Sequence, residues 1–451
     1  MNTELLILGA NAAGLSAASR ARKLAPRLPI TVLDRGPAAS YSACGLPYVL
    51  SGRLASLDAL LTHPPDYFRD RRGLDLRLGH EALELEPARG RVLVRDAAGA
   101  ESWLHFENLV LATGAVPRWR PRPLRNLFAA NTWSDVAALE AALRSGEIRR
   151  VAIVGGGYIG LETAEALRRR GLAVTLVDAH ASLLRTFDPE LTASLPDRLA
   201  ALGIEVRLNI RVLGLSGAEG GRVLGVETSD GLIPADAVLN CAGLRPNSDL
   251  ARAAGLALGA SEAIRVDDRQ QTSHPAIFAA GDCAETRHLL TAAPLWMPLA
   301  LPANHQGRIA GINASGLTLH GAPARFPGTL ATLAVPLAGL EWGRTGLSLD
   351  QARAAGYSAA AEEVAAASQA SYLDPLPVTV RLIYDIASRR ALGVQFRGAP
   401  GTVAARLDAA AIALAARLDL ERIEMLDSAY QPGMAPLYEA LAIAAHNARE
   451  H

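Results

Sequence analysis

One pattern occurs twice in this chain and limits what it can fold into: an apolar strand, a glycine turn, a helix, a second strand and an acid. The first copy runs from the apolar Leu5–Leu8 through Gly9-Ala10-Asn11-Ala12-Ala13-Gly14 and a helical stretch to about Leu24, then Ile30-Thr31-Val32-Leu33 to Asp34. The second runs from Arg150–Val154 through Gly155-Gly156-Gly157-Tyr158-Ile159-Gly160, a helix stopped at Gly171, and Ala173–Val177 to Asp178. Each part has a physical task. The first glycine allows the tight turn, the middle one lets backbone approach a pyrophosphate, and the third lets helix pack on strand. The helix N-terminus faces the phosphates and the acid accepts ribose hydroxyls. The second copy is complete, its acid 23 residues after its first glycine; the first carries Asn11 at the middle position, which weakens it as a signal.

Two further strand ends belong to the same architecture. Leu109-Val110-Leu111-Ala112-Thr113-Gly114 and Ile277-Phe278-Ala279-Ala280-Gly281-Asp282 are short apolar runs closing on a glycine turn. Beyond about residue 326 the glycine fingerprints stop. Hairpin-like stretches, the strand Val378–Tyr384 and a helical 402–417 predict a separate α+β unit. The fold class expected is α/β, with two Rossmann-like three-layer nucleotide-binding domains and a C-terminal α+β domain.

Composition narrows the partners. Among 451 residues, 45 Lys+Arg balance 45 Asp+Glu, and no basic stripe argues for nucleic acid. Cys44, Cys241 and Cys283 lack CxxC or metal-ligand spacing, so neither a disulfide framework nor a metal site is expected, and a cytoplasmic location fits. The first residues read as a strand, not a signal peptide, and the Ala-rich runs 359–368 and 403–417 carry charges unsuited to a membrane span. Cys241 and Cys283 read as core residues. Cys44, in Ser40-x-x-x-Cys44-Gly45-Leu46-Pro47-Tyr48, reads as a lone redox thiol. Gly45-Leu46-Pro47 predicts a helix start, whose partial positive charge would favour the thiolate.

In their order along the chain these landmarks resemble the FAD-dependent pyridine nucleotide–disulfide oxidoreductases. The resemblance implies an FAD domain from residues 1–116 and 246–325, an NAD(P)H domain from 117–245, and a dimerisation domain from 326–451 of a homodimer. FAD contacts then fall on Gly9, Asn11, Ala13, Gly14, Asp34, Arg35, Ser40, Ala112, Thr113, Gly114, Asn131, Gly281, Asp282, Leu299 and Ala300. Nicotinamide-nucleotide contacts fall on Gly155, Gly157, Tyr158, Ile159, Gly160, Asp178, Phe187 and Gly243, with Phe187 as the aromatic covering the flavin. Asp178 favours NADH, while the neighbouring His180 and Arg185 soften the bias against NADPH.

The cysteine selects a branch. Position five after Cys44 is Val49, so the CxxxxC pair of disulfide reductases such as glutathione reductase is absent. The segment is similar to the single-cysteine branch, which holds coenzyme A–disulfide reductases, persulfide reductases, NADH oxidases and NADH peroxidases. Ala12 stands where the peroxidases and water-forming oxidases carry a histidine. Ser16, Arg20 and Lys23 match positions that hold the coenzyme A substrate, with Arg71 or Arg72 at a further basic position and Asn304 in the segment bordering flavin and substrate; Tyr372 and Tyr430 match tyrosines that reach the other subunit's thiol. Ala43 and Tyr438 depart from that family, which carries asparagine and lysine there. The resemblance therefore implies electron flow from NAD(P)H through FAD to Cys44. From there electrons pass to a low-molecular-weight disulfide such as coenzyme A disulfide, or to a persulfide. Cys44 would rest as a mixed disulfide with coenzyme A or as a sulfenate. NADH oxidase, NADH peroxidase and redox-sensing flavoprotein stand as alternatives. No membrane partner is expected.

Overall fold

The computed structural model describes every residue except 1, 219, 320 and 451. Its first sheet has seven strands, with a parallel centre of Asp75–Leu78, Ile30–Asp34, Asn2–Leu8 and Glu101–Leu111. The first half of Glu101–Leu111 pairs with the antiparallel strand Arg91–Arg95, and its second half takes Ile277–Ala279 in parallel. Leu8 pairs with both Leu33 and Leu111. Gly9, Asp34 and Ala112 therefore emerge together at one carboxyl edge, where ligands of open α/β sheets bind.

The second sheet repeats the arrangement with five parallel strands, Arg150–Val154 at its centre. Val154 pairs with Val177 and Asn240, so Gly155, Asp178 and Cys241 share one edge. Two short segments, Ala115–Pro117 and Leu244–Pro246, cross side by side as an antiparallel pair.

Helix α1 (Ala12–Leu24) covers the first sheet, and α4 (Tyr158–Arg169) covers the second. Between them in sequence lie the one-turn α2 (Leu46–Leu50) and α3 (Trp133–Leu143), the latter closed by a Thr132/Asp135 capping box. Against α1 lies the helix Ala300–Ala314. A Cβ on Gly307 would stand 2.1 Å from the Ala13 carbonyl oxygen, and one on Gly311 2.2 Å from that of Ala17. Only glycine permits so close an approach.

The C-terminal unit is a five-stranded antiparallel sheet, with helices Ala404–Ala415 and Ala440–Glu450 sharing its core. One edge strand is Ala359–Ala367, a run of alanines and glutamates in which Val364 alone favours a strand. Nine consecutive pairings with Pro377–Asp385 hold it extended. Among the described residues no helix is long and apolar enough to cross a membrane.

Candidate functional site

The two glycine turns have nearly the same backbone. Gly9 has φ +114° and Gly155 φ +113°, a region side chains rarely adopt. A Cβ on Gly9 would lie 2.1 Å from the Ala112 carbonyl oxygen; on Gly155 it would lie 2.2 Å from that of Cys241. Cys241 is thus the structural counterpart of Ala112, and burial pushes its thiol up to about 12. The two acids work alike. Asp34 accepts hydrogen bonds from the Ala10 and Gly36 amides, both at 2.7 Å. Asp178 accepts from the Gly156 amide at 2.6 Å and the His180 amide at 2.8 Å. The His180 ring is 2.7 Å from the same carboxylate, and Arg185 Nη1 reaches His180 Nε2 at 2.5 Å.

Beside the first turn opens a cleft of about 450 Å³, lined by Asn11, Asp34, Arg35, Tyr41, Arg95, Asp96, Thr132 and Trp133. Asn131 adjoins it, half-buried, one residue before the α3 cap. Tyr41 and Trp133 meet edge to face at 5.5 Å. Ser40 turns the chain with φ +57° and donates its amide to the Ala10 carbonyl. On the other side of the sheet edge, Gly281 donates its amide to Gln306 Oε1 at 2.9 Å. Thr113 and Asn247 exchange hydrogen bonds, with Gly114 accepting from the Asn247 amide. Leu299 caps the helix that Ala300 begins. Burial alone pushes the Asp282 carboxyl up to about 6, with no protein donor offsetting it. Such a carboxylate, at the end of a strand and beside a glycine cradle, fits a ligand rich in hydroxyls. These residues suit FAD: Asp34 and the Gly9 turn for its nucleotide half, and Asp282 for its ribityl chain.

In the second unit Gly157 is exposed at the α4 N-cap, and a Cβ there would meet nothing within 4 Å. Gly243 (φ +92°) follows the strand Ala237–Asn240, and Ile159 packs against the core. Phe187 is a correction. It is 4% exposed and packs edge-on against Trp342, their ring centroids 6.5 Å apart. The chain turns it inward because the next residue, Asp188, is held by Arg381 at 2.8 Å and by the Gln395 side chain. Tyr158 is an aromatic whose hydroxyl feels the charges of Asp282 and Cys44; burial above all pushes it up to about 12.

Cys44 occupies a 3-10 turn, Ala43–Gly45, that leads into α2 with Pro47 in its first turn. It is exposed, while Val49, where a second cysteine would sit, is 3% exposed in the core. The expectation that the helix start lowers the thiol's pKa is also corrected. Burial raises it, and the nearby Glu162 and Asp282 carboxylates raise it further. The surrounding protein desolvates the sulfur despite its open face, and a helix of five residues has too small a dipole to offset two carboxylates. Glu162 is itself pushed up to about 7, by burial first and Glu165 second. It is the functional candidate missed from sequence. Its signal was its place four residues after Tyr158, on the same face of α4.

The residues expected to hold the substrate are partly brought together. Asn304 Nδ2 donates to Ser16 Oγ at 2.6 Å. Arg20 is half-buried with an unpartnered Nε, and Lys23 is exposed in the last turn of α1. Arg71 is exposed at the end of the single π turn Tyr67–Arg71, which Arg22 ties to α1 through the Gly73 carbonyl at 2.9 Å. Tyr372 and Tyr430 are 73% and 53% exposed on the C-terminal unit. Their segments are joined by the Ala370 amide donating to Pro432. Tyr438, Met434 and Leu437 are exposed on the same loop. Cys283 is fully buried, its thiol directed at the Leu111 and Ala280 carbonyls, as a core residue should be.

Two family models match the chain: the pyridine nucleotide-disulphide oxidoreductases over residues 3–307 and their dimerisation domain over 334–441. The chain is 35% identical over 446 residues to an NAD(P)H sulfur oxidoreductase (CoA-dependent) of Pyrococcus abyssi, covering 98% of this chain and 97% of that one. It is 31% identical over 448 residues to an NADH oxidase of Methanocaldococcus jannaschii, covering 98% of each. The crystal structure of reduced CoADR-RHD from Bacillus anthracis superimposes with a TM-score of 0.93 at 28% identity, covering all of this chain and 80% of that one. The chain belongs to the pyridine nucleotide-disulphide oxidoreductase family.

Proposed function

We propose that this member of the family passes electrons from NAD(P)H through FAD to Cys44, and from Cys44 to a low-molecular-weight disulfide or persulfide, coenzyme A disulfide first among them. The single observation that carries the reading is the state of Cys44. It is an exposed thiol, and its potential partner position is a core valine. A redox thiol without a protein partner must exchange with a small molecule.

FAD, when bound, supplies the two-electron chemistry that links nicotinamide oxidation to sulfur reduction. The chain's own residues do the rest. The Cys44 thiolate attacks one sulfur of the disulfide, forming a mixed disulfide and releasing the other half as a thiolate. Reducing that mixed disulfide with two electrons frees the second thiol and regenerates Cys44. Burial first, and the Glu162 and Asp282 carboxylates after it, disfavour the Cys44 thiolate. Glu162, at about 7, holds a proton near neutrality and is an acid for a departing thiolate. Ser16, Asn304, Arg20, Lys23 and Arg71 form the polar and basic face for the substrate's nucleotide. Tyr372 and Tyr430 reach the thiol site of the second subunit of a homodimer. NADH is the preferred donor, because Asp178 at the ribose edge repels a 2′-phosphate.

Mass spectrometry of the denatured, unreduced protein tests the reading. An adduct of coenzyme A mass on the Cys44 peptide is expected; a gain of one oxygen would favour the oxidase reading. Cys44→Ser should keep flavin and its reduction by NADH while disulfide turnover falls by about a thousandfold or more. Retained turnover would overturn the mechanism. The similarity to an archaeal NADH oxidase favours one second reading, oxygen reduction, and oxygen consumption matching NADH loss would establish it.

A further inference from the structure

The helix that follows the Cys44 turn, α2, does not pack where its place in the sequence suggests. Leu46, Val49 and Leu50 of α2 share one core with Val136 and Leu139 of α3 and with Leu161 and Leu167 of α4. The reactive turn is thus seated in the second nucleotide unit. A helix of one turn has almost no stability of its own, so its tertiary contacts set its orientation.

At its front, the turn is pinned from the Leu60 side. Ser42 donates its amide to the Leu60 carbonyl at 2.9 Å, and a Cβ on Gly45 would lie 2.4 Å from Leu60 Cδ2. At its back there is a single polar clamp. Arg170, the C-cap residue of α4, donates Nη2 to the Val49 carbonyl at 3.0 Å, and the same Nη2 stands 2.8 Å from Glu140 Oε1 of α3 as an ion pair without hydrogen-bond geometry. The Glu140 side chain is 13% exposed and that of Arg170 27%, with the Arg170 residue as a whole on the surface. Among the described residues this is the one side-chain hydrogen bond from the second unit onto the α2 backbone. The same α4 carries in its first turns Tyr158 and Glu162, whose charges couple to that of Cys44.

We infer that Arg170 is a positioning residue for Cys44: by clamping the far end of α2 to α3 and α4, it sets where the thiol stands relative to Tyr158 and Glu162. Guanidinium chemistry suits the task, since one group can donate to a carbonyl and pair with a buried carboxylate at once. The inference rests on Cys44 being the reacting thiol, and not on which disulfide it reduces.

The test uses the FAD-loaded enzyme and iodoacetamide as the probe. Cys44 alkylation is followed by peptide mass spectrometry after anaerobic reduction with NADH, across pH 6–9, beside stopped-flow flavin reduction and thermal unfolding. Arg170→Met should slow Cys44 alkylation by about tenfold to a hundredfold, the scale of a small misplacement, while flavin reduction stays within about twofold. Arg170→Lys, which keeps a cationic donor, should recover most of the rate. Wild-type alkylation in Arg170→Met, a Lys variant no better than Met, or an equal fall in flavin reduction would each overturn the inference. If Arg170→Met does not fold, Glu140→Gln decides alone, because it strips the clamp's anchor: slowed Cys44 supports the inference and an unchanged rate overturns it. If wild-type Cys44 gains no reactivity on NADH reduction, the functional reading itself fails, before any variant is compared.

Discussion

The two glycine units share a backbone and differ in what they present from it. Gly9 and Gly155 have the same φ to within a degree, and Gly14 and Gly160 bring their helices onto the first glycine's carbonyl at 1.8 and 2.0 Å from a notional Cβ. Asp34 and Asp178 staple their loops with equivalent bonds. The helix faces diverge. Where α1 has Ala12 and Ser16, α4 has Tyr158 and Glu162 at the matching places after the turn. The first unit offers small and polar groups, with Ser16 already paired to Asn304. The second carries an aromatic and a carboxyl coupled by charge to the thiol. Under the function proposed above, the repeated frame leaves one unit free to hold a cofactor and a substrate tail, and gives the other unit groups that act on Cys44.

The sharpest way to break this comparison is to strain each turn alone. Gly9→Ala and Gly155→Ala each force a left-handed φ and an overlap with a carbonyl oxygen. Gly9→Ala should yield protein without flavin. Gly155→Ala should keep its flavin while reduction by NADH slows by about a hundredfold or more, given strain of a few kcal/mol at each site. Flavin content and stopped-flow reduction read the two effects; loss of flavin in both variants would mean that the units are not independent.

Glu162→Gln tests the divergent helix faces. A carboxyl moved from 4.5 to about 7 by folding stabilises the native state below pH 4.5, and that contribution is lost as pH rises through about 7. The glutamine variant should therefore gain on the order of 1–3 kcal/mol over wild type above pH 7 and little below pH 5, read by chemical denaturation at fixed pH. Removing a negative neighbour should also shift Cys44 alkylation to lower pH. A shift to higher pH would show that Glu162 does not face the thiol.

The smallest effect concerns the middle position. Asn11 lines the first cleft, whereas Gly157 leaves open space. Neither has positive φ: Asn11 is at −120° and Gly157 at −78°. Gly157→Asn should thus fold normally, with a midpoint shift under about 0.5 kcal/mol, and raise the KM for NADH by about tenfold through crowding of the pyrophosphate. A large loss of stability would show that glycine there is needed for conformation.

Much of this was legible before any coordinates. Both nucleotide units, the separate C-terminal sheet, the start of α2 at Leu46-Pro47 and the core role of Cys283 follow from local patterns, whereas Cys241 is half-buried at the sheet edge and packs against the core without joining it. The Ala359–Ala367 strand did not, because an alanine–glutamate run with Val364 alone favouring a strand has little preference, and pairing with Pro377–Asp385 holds it extended. Phe187 was misplaced because an aromatic beside a cofactor domain looks the same in sequence whether it faces the cleft or Trp342. The direction of the Cys44 shift was misjudged because Glu162 lies 118 residues away in the chain.

What the sequence determined by itself was whatever short-range sterics dictate: turns at Gly9 and Gly155 that no side chain tolerates, acids a helix and a strand onward, and a cysteine with a valine where its partner would be. Tertiary structure decided which core holds the helix after the cysteine, which aromatic and which carboxyl couple to the thiol, and that the thiol's proton is held more tightly than its helix start implies. Those outcomes depend on burial and on charges brought together from distant segments, and neither is encoded in local spacing.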